Sequence, residues 1–232
     1  MSDLLILMAG AALPSLVIVI WFYRMDRLRP EPVGLIGRSV LFGFLAAAPA
    51  IAIELIVDLP AGALPFPFSI IWTAFVTAAL VEEGVKYFFL KRYLYTNKHF
   101  DEVMDGILYA VCVSLGFAFA ENILYGLGDA SALLLRAFTA VPMHAAATGI
   151  MGYYLGLAKR SGPGPESKAL ARRGFWSAVA IHGFYDFFLF TGSLLAFAAL
   201  AVLLFALRRL RSLVKEALRI DRVDEAISTP LA

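Results

Sequence analysis

Apolar positions along this chain fall in long unbroken blocks, not at the period of a half-buried strand or of a surface helix. Seven blocks stand out: Leu4–Tyr23, Gly34–Val57, Phe66–Leu90, Met104–Leu127, Ala132–Leu157, Gly174–Phe190 and Ser193–Leu207. A helix needs ~20 mostly apolar residues to cross a bilayer, so each block is predicted as a span. The last two together are too long for one crossing at ~1.5 Å per residue, and Thr191-Gly192-Ser193 supplies a turn between them. The predicted fold class is therefore all-α, a polytopic membrane bundle of about seven transmembrane helices. It is expected to form a single domain over residues 1–212, followed by a C-terminal tail over residues 213–232.

Composition agrees. The 232 residues are 61% hydrophobic and 16% charged, against about 45–50% and about 25% for a soluble domain. The single Cys112 excludes a disulfide framework and reads as a small buried hydrophobe. The first block has acid rather than base before it and no small-residue cleavage site after it, so it reads as a span and not as a cleaved signal. Of the 20 basic residues, 17 lie in the loops after the first, third and fifth blocks or in the tail. Cytoplasmic loops carry the excess of Lys and Arg, which predicts the N-terminus outside and the C-terminus in the cytoplasm. The Arg-rich tail is expected to rest on anionic lipid, and no nucleic-acid partner is expected.

Charge inside the hydrocarbon costs at least ~2.5–3.5 kcal/mol per residue near a helix centre, so polar residues within the blocks are candidates for chemistry. The stretch VEEGVKYFFLKR places Glu82 and Lys86 on one helical face, with Glu83 turned ~100° away. An ion pair that merely packs the bundle would account for Glu82 with Lys86 but leave Glu83 alone. FAFAEN carries Phe117, Glu121 and Asn122; VPMHAAATG carries His144; IHGFYDFF sets His182 and Asp186 four apart, where the carboxylate would fix the imidazole tautomer. Each alone could be a satisfied structural group. Counted from the cytoplasmic ends, Glu82 and His182 lie ~13 Å deep, and Glu121, His144 and Asp186 ~20–25 Å deep. Tilt and kinks allow that spread to close. Independent structural residues would be expected to scatter instead. Gly106, Gly116, Gly149, Gly152 and Gly183 would let the helices approach closely. Glu54 and Asp58 are expected to face water, and Arg27, Pro30, Glu31 and Pro32 to shape the turn into the second span.

Carboxylates beside imidazoles in a half-dry cavity form a set that can activate water. Three N/O ligands with an open fourth position would suit catalytic zinc, although no H-E-x-x-H motif is present. A proton- or ion-coupled transporter could use the same residues as a relay, but no inverted repeat or pair of broken helices is visible.

EEGVK, FAFAE and HGFYD resemble the E-E-x-x-K, F-x-x-x-E and H-x-x-x-D motifs of the PrsW family of intramembrane proteases. YRMDRLRPEP at Tyr23–Pro32, MDGILYAVCVSLGFAFAENILYG at Met104–Gly126, and the stretch from Arg136 through HAAATGIMGYYLG are similar to it as well, in order, over roughly Tyr23 to Phe188. The family is distantly similar to CAAX-type prenyl endopeptidases and bacteriocin-processing proteins. The resemblance implies a protease of the bacterial cytoplasmic membrane whose substrate is a membrane protein, an anti-sigma factor cut in a site-1 type step. It makes Glu82, Glu83, Glu121, His182 and Asp186 the expected catalytic set. Glu121, His144 and His182 are the expected holders of the attacking water or of a metal. Zinc and a metal-free glutamate mechanism are both open at this point. The CAAX-type relatives carry a His where this chain has Glu121.

Overall fold

The structure is a computed structural model that describes residues 2–228, and among them it contains helices and turns but no strand. Helix α1 (Ser2–Met25) leads through a seven-residue turn to α2 (Val33–Val57). A short 3-10 turn (Leu59–Ala63) then joins a long rod over Phe68–Leu94. That rod winds as α3 (Phe68–Ile71), a π-helical stretch (Trp72–Leu80), α4 (Val81–Phe89) and a second π-helical stretch (Leu90–Leu94). There follow α5 (Val103–Gly128), α6 (Ala130–Phe138), α7 (Ala140–Arg160), α8 (Pro165–Phe190) and α9 (Ala198–Ser228).

Helix α5 is the axis. It is buried almost without interruption from Val103 to Ala118, and it packs on α2, α7 and α1. The close packing depends on glycine. A Cβ on Gly106 would lie 2.4 Å from the Gly152 carbonyl oxygen of α7, and one on Gly116 would lie 1.9 Å from the Val40 carbonyl oxygen of α2. Contact of backbone with backbone replaces the hydrophobic drive that lipid does not supply.

The polytopic all-helical expectation holds. Among the described residues, five helical stretches are long and apolar enough to cross a membrane: Leu7–Met25, Val33–Ala63, Phe68–Leu94, Val103–Gly128 and Ser131–Arg160. The expected fifth span, Ala132–Leu157, is broken at Thr139 into α6 and α7. Pro142 accounts for the break: it lacks an N–H and its ring opposes the carbonyl four residues earlier, at Phe138. The Thr191–Ser193 turn is present where expected, with Gly192 at φ +58°, in the left-handed region that a glycine enters freely. Helix α8 begins at Pro165, nine residues before the predicted span, because proline is favoured in a first helical turn. Helix α9 runs through residue 207 without a break and buries Leu213, Val214 and Ala217. Residues 229–232 of the expected tail lie outside the described residues.

Candidate active site

Four elements bring the intramembrane polar residues together. In the rod, the π-helical stretch Trp72–Leu80 ends one residue before the glutamate pair. A π-turn takes up more residues than an α-turn and so re-aims the side chains that follow it, an arrangement frequent at functional sites. Glu82, Glu83 and Lys86 all turn inward and are buried. Gly183 on α8 lets the rod come close, since a Cβ there would lie 2.3 Å from the Phe75 ring.

Lys86 is the hub. Its Nζ donates to Glu82 Oε2 (3.1 Å), Glu83 Oε1 (2.9 Å) and His144 Nδ1 (3.1 Å), which uses all three ammonium protons. It also sits 4.2 Å from the centre of the Phe117 ring. Lysine has no acceptor, so His144 accepts at Nδ1 and carries its proton at Nε2, where Glu121 Oε2 lies at 2.7 Å. Glu83 is clamped from three directions: by Lys86, by Thr148 Oγ1 (2.8 Å) and by His182 Nδ1 (3.1 Å). His182 Nε2 meets Asp186 Oδ2 at 3.1 Å, so both nitrogens of that ring face carboxylates. The two imidazoles meet edge to face, with centroids 5.0 Å apart.

All five residues expected to be catalytic, and His144 with them, thus lie in one connected network. Five of the six line a single cavity of about 450 Å³; Glu83 stands behind it, wholly buried. The cavity runs from Glu82 and His182 to Asp58, Leu59 and Phe190, at the end of the bundle opposite the Arg24–Arg29 turn.

Glu82, His144 and His182 each offer a ligand atom within 4.8 Å of the others. One carboxylate and two imidazoles form a donor set that fits zinc with a fourth position free. Here the carboxylate is Glu82. Glu121, the one expected from the sequence, binds the far nitrogen of His144. Lys86 already holds both Glu82 and His144, so a metal would compete with an ammonium for two of its three ligands.

Two site residues were not picked out from the sequence. Arg136 of α6 donates to Asn122 Oδ1 (2.6 Å) and Glu121 Oε2 (3.2 Å) and covers the Tyr125 ring at 4.1 Å. The available signal was an arginine in an apolar stretch, which demands a partner. Glu54 does not simply face water: it lines the cavity, and its Oε1 is buried without a hydrogen-bond partner. Asp58, also expected in water, accepts from Thr73 and Thr77 at 2.9 Å each and ties the end of α2 to the rod. Both corrections have one cause: the C-terminal end of α2 is tied to the π-helical stretch through Trp72, Thr73 and Thr77, which a linear count of residues does not show.

Residues 31–208 match the profile of the family described as PrsW family intramembrane metalloprotease. Among similar proteins, "Protease PrsW" of Geobacillus kaustophilus is 36% identical over 188 residues, which is 78% of each chain. "Protease PrsW" of Bacillus subtilis is 36% identical over 186 residues, covering 79% of this chain and 82% of its own. The protein of that name in Clostridioides difficile is 32% identical over 184 residues, 77% of each chain. No solved structure matches this chain significantly.

Proposed function

Because the chain belongs to the PrsW family of intramembrane metalloproteases, a family of multi-pass membrane peptidases, we propose that its Glu82–His182 cavity hydrolyses a peptide bond in or beside the transmembrane segment of a membrane protein. The observation that carries this reading is the cavity of about 450 Å³ into which Glu82, Glu121, His144, His182 and Asp186 all project. A transporter would need no such fixed constellation, and the family match does not favour one.

The Glu82 carboxylate lines the cavity and acts as the general base, taking a proton from a water held there. Lys86 donates to Oε2 of that carboxylate and leaves Oε1 to take the proton. Arg136, which lines the cavity and is held by Asn122 and by Glu121 of the Glu121–His144 pair, presents the remaining guanidinium N–H groups to a carbonyl oxygen that would gain charge. Asp186 and Glu83 are positioning residues that fix the His182 ring from its two sides. Zinc, if bound by Glu82, His144 and His182, would polarise the carbonyl and acidify the water. Glu82 would then serve as a ligand, and its role as base belongs to the metal-free case. Metal analysis of the purified protein, combined with 1,10-phenanthroline inhibition, separates the two cases.

Seven spans with the N-terminus outside would put the cavity mouth in the outer leaflet of the bacterial cytoplasmic membrane. That position suits a site-1 cut on the outer side of a single-span anti-sigma factor, the substrate class that the family resemblance implies. The test is a single-span anti-sigma reporter reconstituted with the full chain. Cleavage should be lost in Glu82→Gln and His182→Ala while both proteins remain folded. Wild-type turnover in either variant refutes the assignment. Cleavage of unrelated single-span reporters, with the anti-sigma reporter left intact, refutes the substrate class alone.

A further inference from the structure

The acidic-proline turn between α1 and α2 is not used by the proteolytic site. Its Asp26 and Glu31 are each 3% exposed and meet Asp105, which is fully buried in the first turn of α5. Each of the three offers an oxygen within 4.8 Å of the others. A buried trio of acids could be stabilised by local donors, and these partners are incomplete. Tyr109 donates to Glu31, and the Asp101 and Glu102 backbone N–H groups donate to Asp105 Oδ2. Both oxygens of Asp26 and the Oδ1 of Asp105 are buried and have no hydrogen-bond partner.

Nor does any base neutralise them. Arg27 donates to the Arg24 carbonyl, Arg29 is engaged by Asp101 and Glu225, and among the described residues no ion pair reaches Asp26, Glu31 or Asp105. Burial pushes the Asp26 carboxyl up to about 6 and Glu31 up to about 7. Three buried carboxylate oxygens without partners, on two acids that cluster with a third, make an incomplete coordination shell.

We propose that Asp26, Glu31 and Asp105 form a second site, for a hard divalent cation, calcium or magnesium, that pins the α1–α2 turn to the N-terminus of α5. An all-oxygen, all-carboxylate donor set selects such ions over zinc. Oxygens facing each other across calcium stand about 4.6–5.2 Å apart, and across magnesium about 4.0–4.2 Å. Ligand oxygens that all lie within 4.8 Å of one another are close enough to share one such ion. The bound ion holds in place the helix that carries Glu121, so the site acts on architecture and not on chemistry.

The test titrates the full chain in detergent, stripped with EDTA and dialysed, with calcium alone, magnesium alone or zinc alone, by calorimetry. One saturable calcium or magnesium site per chain is expected. It should persist in His182→Ala and weaken at least about tenfold in Asp26→Asn. The tighter of the two ions identifies the occupant. No saturable uptake by the wild type, or uptake unchanged in Asp26→Asn, overturns the proposal, as does uptake lost in His182→Ala. If Asp26→Asn does not fold, terbium decides: Tyr109, bonded to Glu31, should sensitise its emission, calcium should quench it, and Tyr109→Phe should lose most of it. Emission undiminished in Tyr109→Phe places the ion elsewhere and sinks the idea.

Discussion

Glu83 in the bundle core and Asp26 at the loop end are both almost inaccessible to water, yet their surroundings differ completely. Glu83 has an ammonium, an imidazole and a hydroxyl within 3.1 Å. Asp26 has no hydrogen-bond partner at either carboxylate oxygen. In the first region the chain supplies the partners itself, Lys86 from the same helix, Thr148 from α7 and His182 from α8, so the geometry is set before any substrate arrives. In the second it supplies three acids with Tyr109 and two backbone N–H groups as donors, and three carboxylate oxygens stay without a partner. A buried carboxylate is therefore informative only together with its partners: the same residue type marks a self-contained reaction centre in one place and an unfilled shell in the other.

The sharpest way to break this contrast is to neutralise one acid in each region. Glu82→Gln should lower reporter cleavage by about 10²–10⁴-fold, the usual worth of a general base, with no loss of folded protein. Asp26→Asn, assayed at saturating calcium and magnesium, should stay within about twofold of wild type, because nothing it touches lines the cavity. Comparable losses of cleavage in both would erase the distinction.

Stability should diverge next. Lys86→Met strands Glu83 in a site that is wholly buried, and removing one partner of a buried pair costs about 3–5 kcal/mol. Chemical denaturation in detergent measures this. In EDTA, Asp26→Asn should do the opposite and raise the melting temperature by roughly 2–4 °C, about 1 kcal/mol, because like charges are relieved and an amide donor is supplied. A fall in EDTA would mean that Asp26 has a partner after all.

Smaller effects test the periphery of the proteolytic network. Arg136→Gln removes the charge that holds Glu121 and Asn122, and should lower kcat/KM about tenfold, with the loss mostly in kcat. Glu54→Gln changes the one cavity carboxylate with an unpartnered buried oxygen; a change of roughly threefold to fivefold, carried by KM, is expected if it contacts substrate. An unchanged KM would leave Glu54 as a wall of the cavity and no more.

Much of this was readable along the chain. Hydropathy blocks specify helices in a membrane because lipid leaves the backbone no other partner, so the all-α bundle and the turn at Gly192 follow from composition and order. The cost of charge in hydrocarbon likewise singled out Glu82, Glu83, Glu121, His144, His182 and Asp186 before any coordinates. Tertiary structure alone decided who meets whom. The π-helical winding before Glu82, the break that Pro142 places between α6 and α7, and the ties of α2 to the rod bring Lys86 to His144, Arg136 to Glu121 and Glu54 into the cavity. The same is true of Asp26, Glu31 and Asp105, which lie up to 79 residues apart in the chain and are joined only where α1, α2 and α5 end together. Burial cost is a property of each residue and its neighbours in sequence. Partner choice depends on helix phase and crossing distance, where one extra residue in a turn, or one Cβ in place of a glycine hydrogen, redirects a side chain to another helix.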